Sequence, residues 1–432
     1  MKNEQSVSEA LSSNSTESPH ELHGSSASRD DVGAFVPGMR VERPASGSGV
    51  LDGLRCGVKD VFDIAGCPTG YGNPDWERTH DIPSVDAIAV STLRQHGAHI
   101  VGKTLTDELA FSLAGNNHHY GSPINSAAPD RLTGGSSCGS AAAVAAGLCD
   151  IGLGTDTAGS VRAPASFCGV FGFRSTHGAI STDGVRRLAH SFDSVGWLAR
   201  DAHTLAAVGH ALLPDAPVLS APKGWFCFES AWRHLTCVEK EEVDSLLDDL
   251  AATLGDRSEF SFEVAELDQC VDAFRTIQFY QVWSELGPWV KQVQPVLGPD
   301  VLERMLAASK VTKDEYLAAS QIRTNTKARF DSLLESGQIL VMPTVSGFAP
   351  MRDSSLAELN NQRRADLRFL CVASLAGLPQ ISLPALTAAS RPPLGLSLIA
   401  SAGMDGPLLA LATKIAAGGS TGSPATERAS VR

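Results

Sequence analysis

TGGSSCGSAAAVAAGLCDIGLGTDTAGS, Thr133 to Ser160, sets two loops of small residues around one helix and one strand. The run "AAAVAAGLC" reads as a helix whose small side chains allow close packing on a sheet, and "DIGLGTD" as a buried strand entering the second loop. In the first loop, Gly135 to Gly139 matches G-x-S-x-G, the nucleophile elbow, with Ser137 at its centre. An elbow needs a buried strand directly before it, and "NSAAPDRLT" is turn material instead. It also needs a histidine base, which cannot be singled out among 12. A phosphate-binding loop would need a lysine after Gly139, where Ser140 and Ala141 stand.

Working outward, a different chemistry gathers the pieces. In the second loop, Thr157, Ala158, Gly159 and Ser160 can turn several backbone N–H groups toward one point, as an oxyanion hole requires. Upstream, Lys59 lies between apolar neighbours in a strand-like run, "RCGVKDVF". Desolvation penalises an ammonium, so a lysine held there favours its neutral form and can act as a base toward a serine hydroxyl. Lys59, Ser136 and Ser160 can thus form a proton relay without histidine. Taken alone, each of these residues has a blander reading: lysines are mostly exposed, and loop serines mostly bond to nearby backbone.

Together "GVKD", "TGGSSCGSAAAVAAG" and "GTDTAGSVRAPASFCGVFGFRST" resemble the amidase signature family, the Ser–cisSer–Lys amidohydrolases, from about Gly53 to Ala416. Ser160 follows Ser136 by 24 positions, the family's spacing. The resemblance implies an α/β fold with a central mixed β-sheet covered by helices on both faces. It implies Lys59 as base, Ser136 as the bridging serine after a cis peptide bond, and Ser160 as nucleophile. The backbone from Thr157 to Ser160 would be the oxyanion hole. Ser137, Asp156 and Arg162 are expected to support the loops through hydrogen bonds. No metal or organic cofactor is implied.

The stretches "VKDVFDIAGCPTGYGNPDW" and "NNHHYGSPIN" further resemble the indole-3-acetamide hydrolase branch, so indole-3-acetamide or another arylacetamide is an expected substrate. A glutaminase component of a tRNA-dependent amidotransferase, an amidase acting on a urea-derived amide and a non-catalytic scaffold are the alternatives. Ala158 stands where the family usually has Gly, placing a methyl where it can narrow the acyl site or strain the loop. Cys138 replaces the usual Gly or Ser and is expected to be harmless. His118-His119 is a weak metal set without a carboxylate at helical spacing, and is read as channel wall or plain loop. Asp193 is read as structural.

The remaining chain frames this core. Residues 1–48 are rich in Ser, Glu and Asp, and read as a disordered leader, as does a tail over 418–432. Residues 49–417 read as one domain: alternating strands and helices, including a helix over "LTDELAFSL", then a helical insertion from about 229 to 337, then strands again. With 35 basic and 48 acidic residues, the formal charge is −13, without the basic stripe of a nucleic-acid binder. No apolar run approaches a membrane span. Nine scattered cysteines without a C-x-x-C pair suit the cytoplasm. A small amide is the expected partner molecule, and a homodimer is compatible with the resemblance.

Overall fold

The computed structural model describes residues 30–39, 41–213, 224–233, 235, 237–260, 262–335, 337–387 and 390–418. Ten strands form its sheet: β1 (Arg55–Lys59), β2 (His99–Thr104), β3 (Ile151–Asp156), β4 (Phe171–Arg174), β5 (Ser194–Ala199), β6 (Trp225–Phe228), β7 (Arg257–Phe260), β8 (Ile339–Pro343), β9 (Gln380–Leu386) and β10 (Leu394–Ile399). Their spatial order is β2-β1-β3-β5-β4-β9-β10-β8-β6-β7. The sheet is mixed. Strand β1 runs parallel to both neighbours, β3 through β8 pair antiparallel, and β6 is parallel to β8 and β7.

Strands β3 and β5 are buried along their whole length, as expected of strands covered on both faces. Successive residues show it: Trp197 packs into the large core with Leu205 and Ile415, whereas Leu198 joins a second cluster with Ala141, Val144, Val161 and Ala165. The helices Ala202–Leu212 and Asp405–Ala417 therefore lie on one face. The helices Cys138–Ala145 and Arg162–Cys168 lie on the other. Because β1, β2 and β3 are parallel, their carboxyl ends share one edge, where open α/β sheets carry their sites.

Several expectations shift. Residues 30–39 and 41–48 are not a free leader: Ala34 is fully buried, Val36 N–H donates to the Lys103 carbonyl at 2.9 Å, and Arg43 bridges Ile100. Residues 1–29 and the tail beyond Gly418 lie outside the described residues. The helix expected over "LTDELAFSL" is a single 3-10 turn, Glu108–Ala110, because Leu109 and Ala110 take positive φ and end it. The helical block does contain the long helices Val264–Val293, Pro299–Ala308 and Lys313–Leu334, but β7 interrupts it. Since β6, β7 and β8 pair in the common sheet, the block is continuous with the α/β core.

Candidate active site

Lys59 is the last residue of β1 and fully buried. Its Nζ donates to Ser136 Oγ at 2.8 Å and to Thr155 Oγ1 at 2.9 Å. Lys103, opposite Val58 on the adjacent strand, makes the contrast. Lys103 is equally buried, yet its Nζ meets Asp60 Oδ1 at 2.9 Å, with the Pro68 carbonyl and Thr69 Oγ1 completing its shell. Lys103 has a carboxylate partner and Lys59 has two hydroxyls. Burial accordingly pushes the Lys59 pKa down to about 8, against the opposing pull of Asp107 and the more remote Asp156 and Asp193.

The two loops meet at this amine. The Gly135–Ser136 peptide bond is cis, and the Ser136 carbonyl accepts from the Asp107 N–H at 3.1 Å. A side chain at Gly135 would put its Cβ 2.1 Å from Asp107 Oδ2, so only glycine fits. The Ser137 N–H donates to the Ser160 carbonyl at 3.1 Å, and its Oγ to the Thr155 carbonyl at 3.4 Å. Ser137 is thus the tie between the loops, which a central elbow serine would not be. Ser140 and Cys138 begin the following helix, where the buried Cys138 thiol donates to the Leu105 carbonyl.

Asp156 organises the second loop. Its carboxylate accepts from the Gly159 N–H at 2.8 Å, the Val161 N–H at 3.1 Å and the Arg162 N–H at 3.3 Å. The Arg162 guanidinium adds bonds of 2.9 and 2.6 Å, and Arg174 one of 3.2 Å. Burial alone would raise the Asp156 pKa, but the two guanidinium groups outweigh it and hold the carboxyl well below the usual range. Arg162 reaches on to the Leu370 carbonyl, Gln380 Oε1 and Ser374 Oγ. These bonds fix the loop against the helix Leu356–Ala376. Asp156→Ala would leave two buried cations without their carboxylate, so unfolding free energy should drop by about 3–5 kcal/mol in urea titrations. A loss below ~1 kcal/mol would contradict this network.

The Gly159 N–H is held by Asp156, which removes it from the four-donor oxyanion set expected from sequence. Gly159 serves the loop through its φ of +119°, and a Cβ there would strike Leu370 Cδ1 at 2.5 Å. The N–H groups of Thr157, Ala158 and Ser160 carry no such side-chain bond among the described residues. Thr157 Oγ1 donates to Asp193 Oδ1 at 2.6 Å, and Asp193 also caps Leu188 and Ala189, so its role is structural as expected. Ala158 does not strain the loop, because among the described non-glycine residues positive φ is confined to Tyr71, Leu109, Ala110 and Gln294. Its methyl narrows the site: Thr157, Ala158 and Ser160 wall a recess with Phe111, Leu113 and Leu188. That recess shares Ser112, Leu113 and Arg363 with an outer cavity of about 460 Å³, which His118 and Phe167 also line.

A family model described as Amidase matches residues 39–230 and 256–409. The chain belongs to the amidase family. Amidase 1 of Arabidopsis thaliana is 36% identical to this amidase over 423 residues, 90% of this chain and 99% of the relative. A glutamyl-tRNA(Gln) amidotransferase chain of Methanothermobacter thermautotrophicus is 31% identical over 430 residues, 90% of this amidase and 92% of the relative. A crystal structure of an amidase superposes with a TM-score of 0.77 at 30% identity, covering 85% of each chain. The chain is an amide-hydrolysing enzyme of the α/β class.

Sequence reasoning passes over four members of this amidase's site. Thr155, Asp107, Gln278 and Arg363 sit in no motif that spacing alone would flag. For Thr155 a signal existed: β1 and β3 pair with Val58 opposite Leu153, which sets the end of β1 beside the start of "TDT". Elsewhere, His119 pairs with Glu108 at 2.9 Å. Among the described residues no group of three or more metal-ligating side chains assembles. No helix among them is long and apolar enough to cross a membrane.

Proposed function

We propose that this amidase hydrolyses a small carboxylic amide to acid and ammonia or amine through an acyl-enzyme on Ser160. The observation that carries this is a buried Lys59 amine bonded to the Ser136 hydroxyl at 2.8 Å, with no carboxylate hydrogen-bonded to it among the described residues. Neutral Lys59 takes the Ser136 proton as Ser136 takes that of Ser160, and Ser160 Oγ forms a bond to the amide carbon. The carbonyl oxygen, now anionic, is received by the N–H groups of Thr157, Ala158 and Ser160. Ser136 then hands a proton to the nitrogen as the C–N bond breaks, leaving an ester that water cleaves by the same relay.

The outer cavity is large enough for an aryl group, in keeping with arylacetamides such as indole-3-acetamide. Nine free thiols suit the cytoplasm as the compartment. A fluorophosphonate probe should add its mass to the peptide bearing Ser160, and the purified chain should release ammonia from simple amides. Labelling elsewhere, or ammonia release from glutamine only once a partner protein is supplied, would overturn the reading, the second outcome in favour of an amidotransferase component.

A further inference from the structure

Asp107 lies between β2 and the 3-10 turn and is fully buried. Its N–H donates to the Ser136 carbonyl at 3.1 Å, while its Oδ2 accepts from the Gly115 N–H at 3.2 Å and packs against Gly135. Its Oδ1 is buried without a hydrogen-bond partner. Burying a carboxylate is costly, and buried polar atoms are nearly always satisfied. A neutral amide of the same shape would accept from Gly115 equally well, so an acid kept there with one bare oxygen points to a use for its charge.

Several groups face that charge. Lys59 comes from β1, the Cys138 thiol from the helix Cys138–Ala145, Asp300 and Arg304 from the helix Pro299–Ala308, and Arg363 from the helix Leu356–Ala376. Asp300 and Arg304 pair with each other at 2.6 Å, and burial keeps the thiol neutral. Burial pushes the Asp107 pKa up to about 6, against the Gly115 N–H. That stays below the value of about 8 for Lys59, so Asp107 is an anion over the range in which the amine titrates.

Of the acids that act on Lys59, Asp107 acts most strongly. Asp156 is bound by two guanidinium groups, and Asp193 by the Leu188 and Ala189 N–H groups. Lys103 shows what direct contact does: its amine is fastened to Asp60. No hydrogen bond joins Lys59 to Asp107 among the described residues, and the bond to Gly115 ties the Asp107 carboxylate to its own loop. Asp107 therefore acts through space, in a dry interior where charges interact strongly. An amine so placed can lose its proton, and the ammonium it becomes on taking the Ser136 proton meets a compensating charge.

We propose that Asp107 is a positioning residue of the relay, a counter-ion kept out of contact with Lys59, which holds the Ser136 loop and stabilises the ammonium formed during acyl transfer. This rests on Lys59 being the base of the Ser160 reaction.

The charge has two opposed effects. It makes Lys59 a stronger base, and at neutral pH it leaves fewer amines free to act. Asp107→Asn should therefore move the kcat/KM inflection to lower pH by roughly one unit and lower the alkaline plateau several-fold. The variant-to-wild-type ratio should then rise several-fold from mildly alkaline to neutral pH. Asp107→Ser, which buries no amide, should move the inflection the same way, and Asp107→Glu should return it toward the wild type. Damage to the loop alone would lower the rate by one factor at every pH. A constant ratio over that range in either uncharged variant, with an unchanged thermal midpoint, overturns the assignment of Asp107 and leaves Lys59 as the base. An inflection that moves to higher pH does the same. A wild-type profile without a rising inflection overturns the base reading itself, and the counter-ion with it.

Discussion

Ser160→Ala is expected to lower kcat for amide hydrolysis by about four orders of magnitude or more while leaving the fold in place. The size follows from what remains: without the hydroxyl no ester can form, and only positioning and N–H donors are left to help water attack directly, worth at most ~10³–10⁴-fold over solution. The fold should survive because Ser160 contributes to the loop through its backbone, whose carbonyl accepts from Ser137. Alanine keeps that carbonyl. Ammonia release measured on protein with an unchanged thermal midpoint is the check. A purified variant that retains even a few per cent of wild-type kcat would place the nucleophile elsewhere.

Lys59→Met is the second large effect, with kcat expected to fall roughly 10³-fold or more, the upper scale of a base that also activates the nucleophile. Methionine fills a similar volume, so the loss reports the amine and not a cavity. The pH profile gives an independent reading. With the Lys59 pKa at about 8, the amine is mostly protonated at neutral pH and cannot accept a proton. Wild-type kcat/KM should thus climb about tenfold per pH unit below that value and level off above it. Lys59→Met should lose the inflection along with the rate. A wild-type profile that declines from neutral to mildly alkaline pH, with the chain still folded, would contradict the neutral-base assignment.

How far the site can be read beforehand depends on the kind of constraint each residue obeys. Ser136, Ser160 and Lys59 are legible because their chemistry needs small residues around two serines and an apolar strand around a lysine, and both leave local marks. Arg363 and Gln278 leave none. Each lies on a long helix more than a hundred residues from Ser160, and arginine or glutamine on a helix ordinarily faces water. The Gly159 N–H departs from its expected oxyanion role because Asp156 competes for the same loop donors, a choice that composition cannot reveal. The expected leader reaches too far into the chain for a related reason. Ala34, Phe35 and Val36 show no periodicity of their own and become ordered by pairing with β2, as in the Phe35–Thr104 bridge. The helix expected at 105–113 fails on backbone geometry, since two positive φ values at Leu109 and Ala110 are invisible in a pattern of apolar spacing.

One division in the architecture has a practical meaning. The amine ends β1, the first loop enters the helix Cys138–Ala145 and the second leaves β3, whereas Gln278 and Arg363 line the recess from helices that belong to a later part of the chain. Part of the wall around the candidate nucleophile is therefore encoded by a stretch of sequence separate from the two loops. A combinatorial library confined to positions 278 and 363, with Leu188 and Phe111 as companions, would sample new acyl groups while the cleaving apparatus is inherited intact. Duplicated copies of such a chain can diverge in diet without relearning their trade.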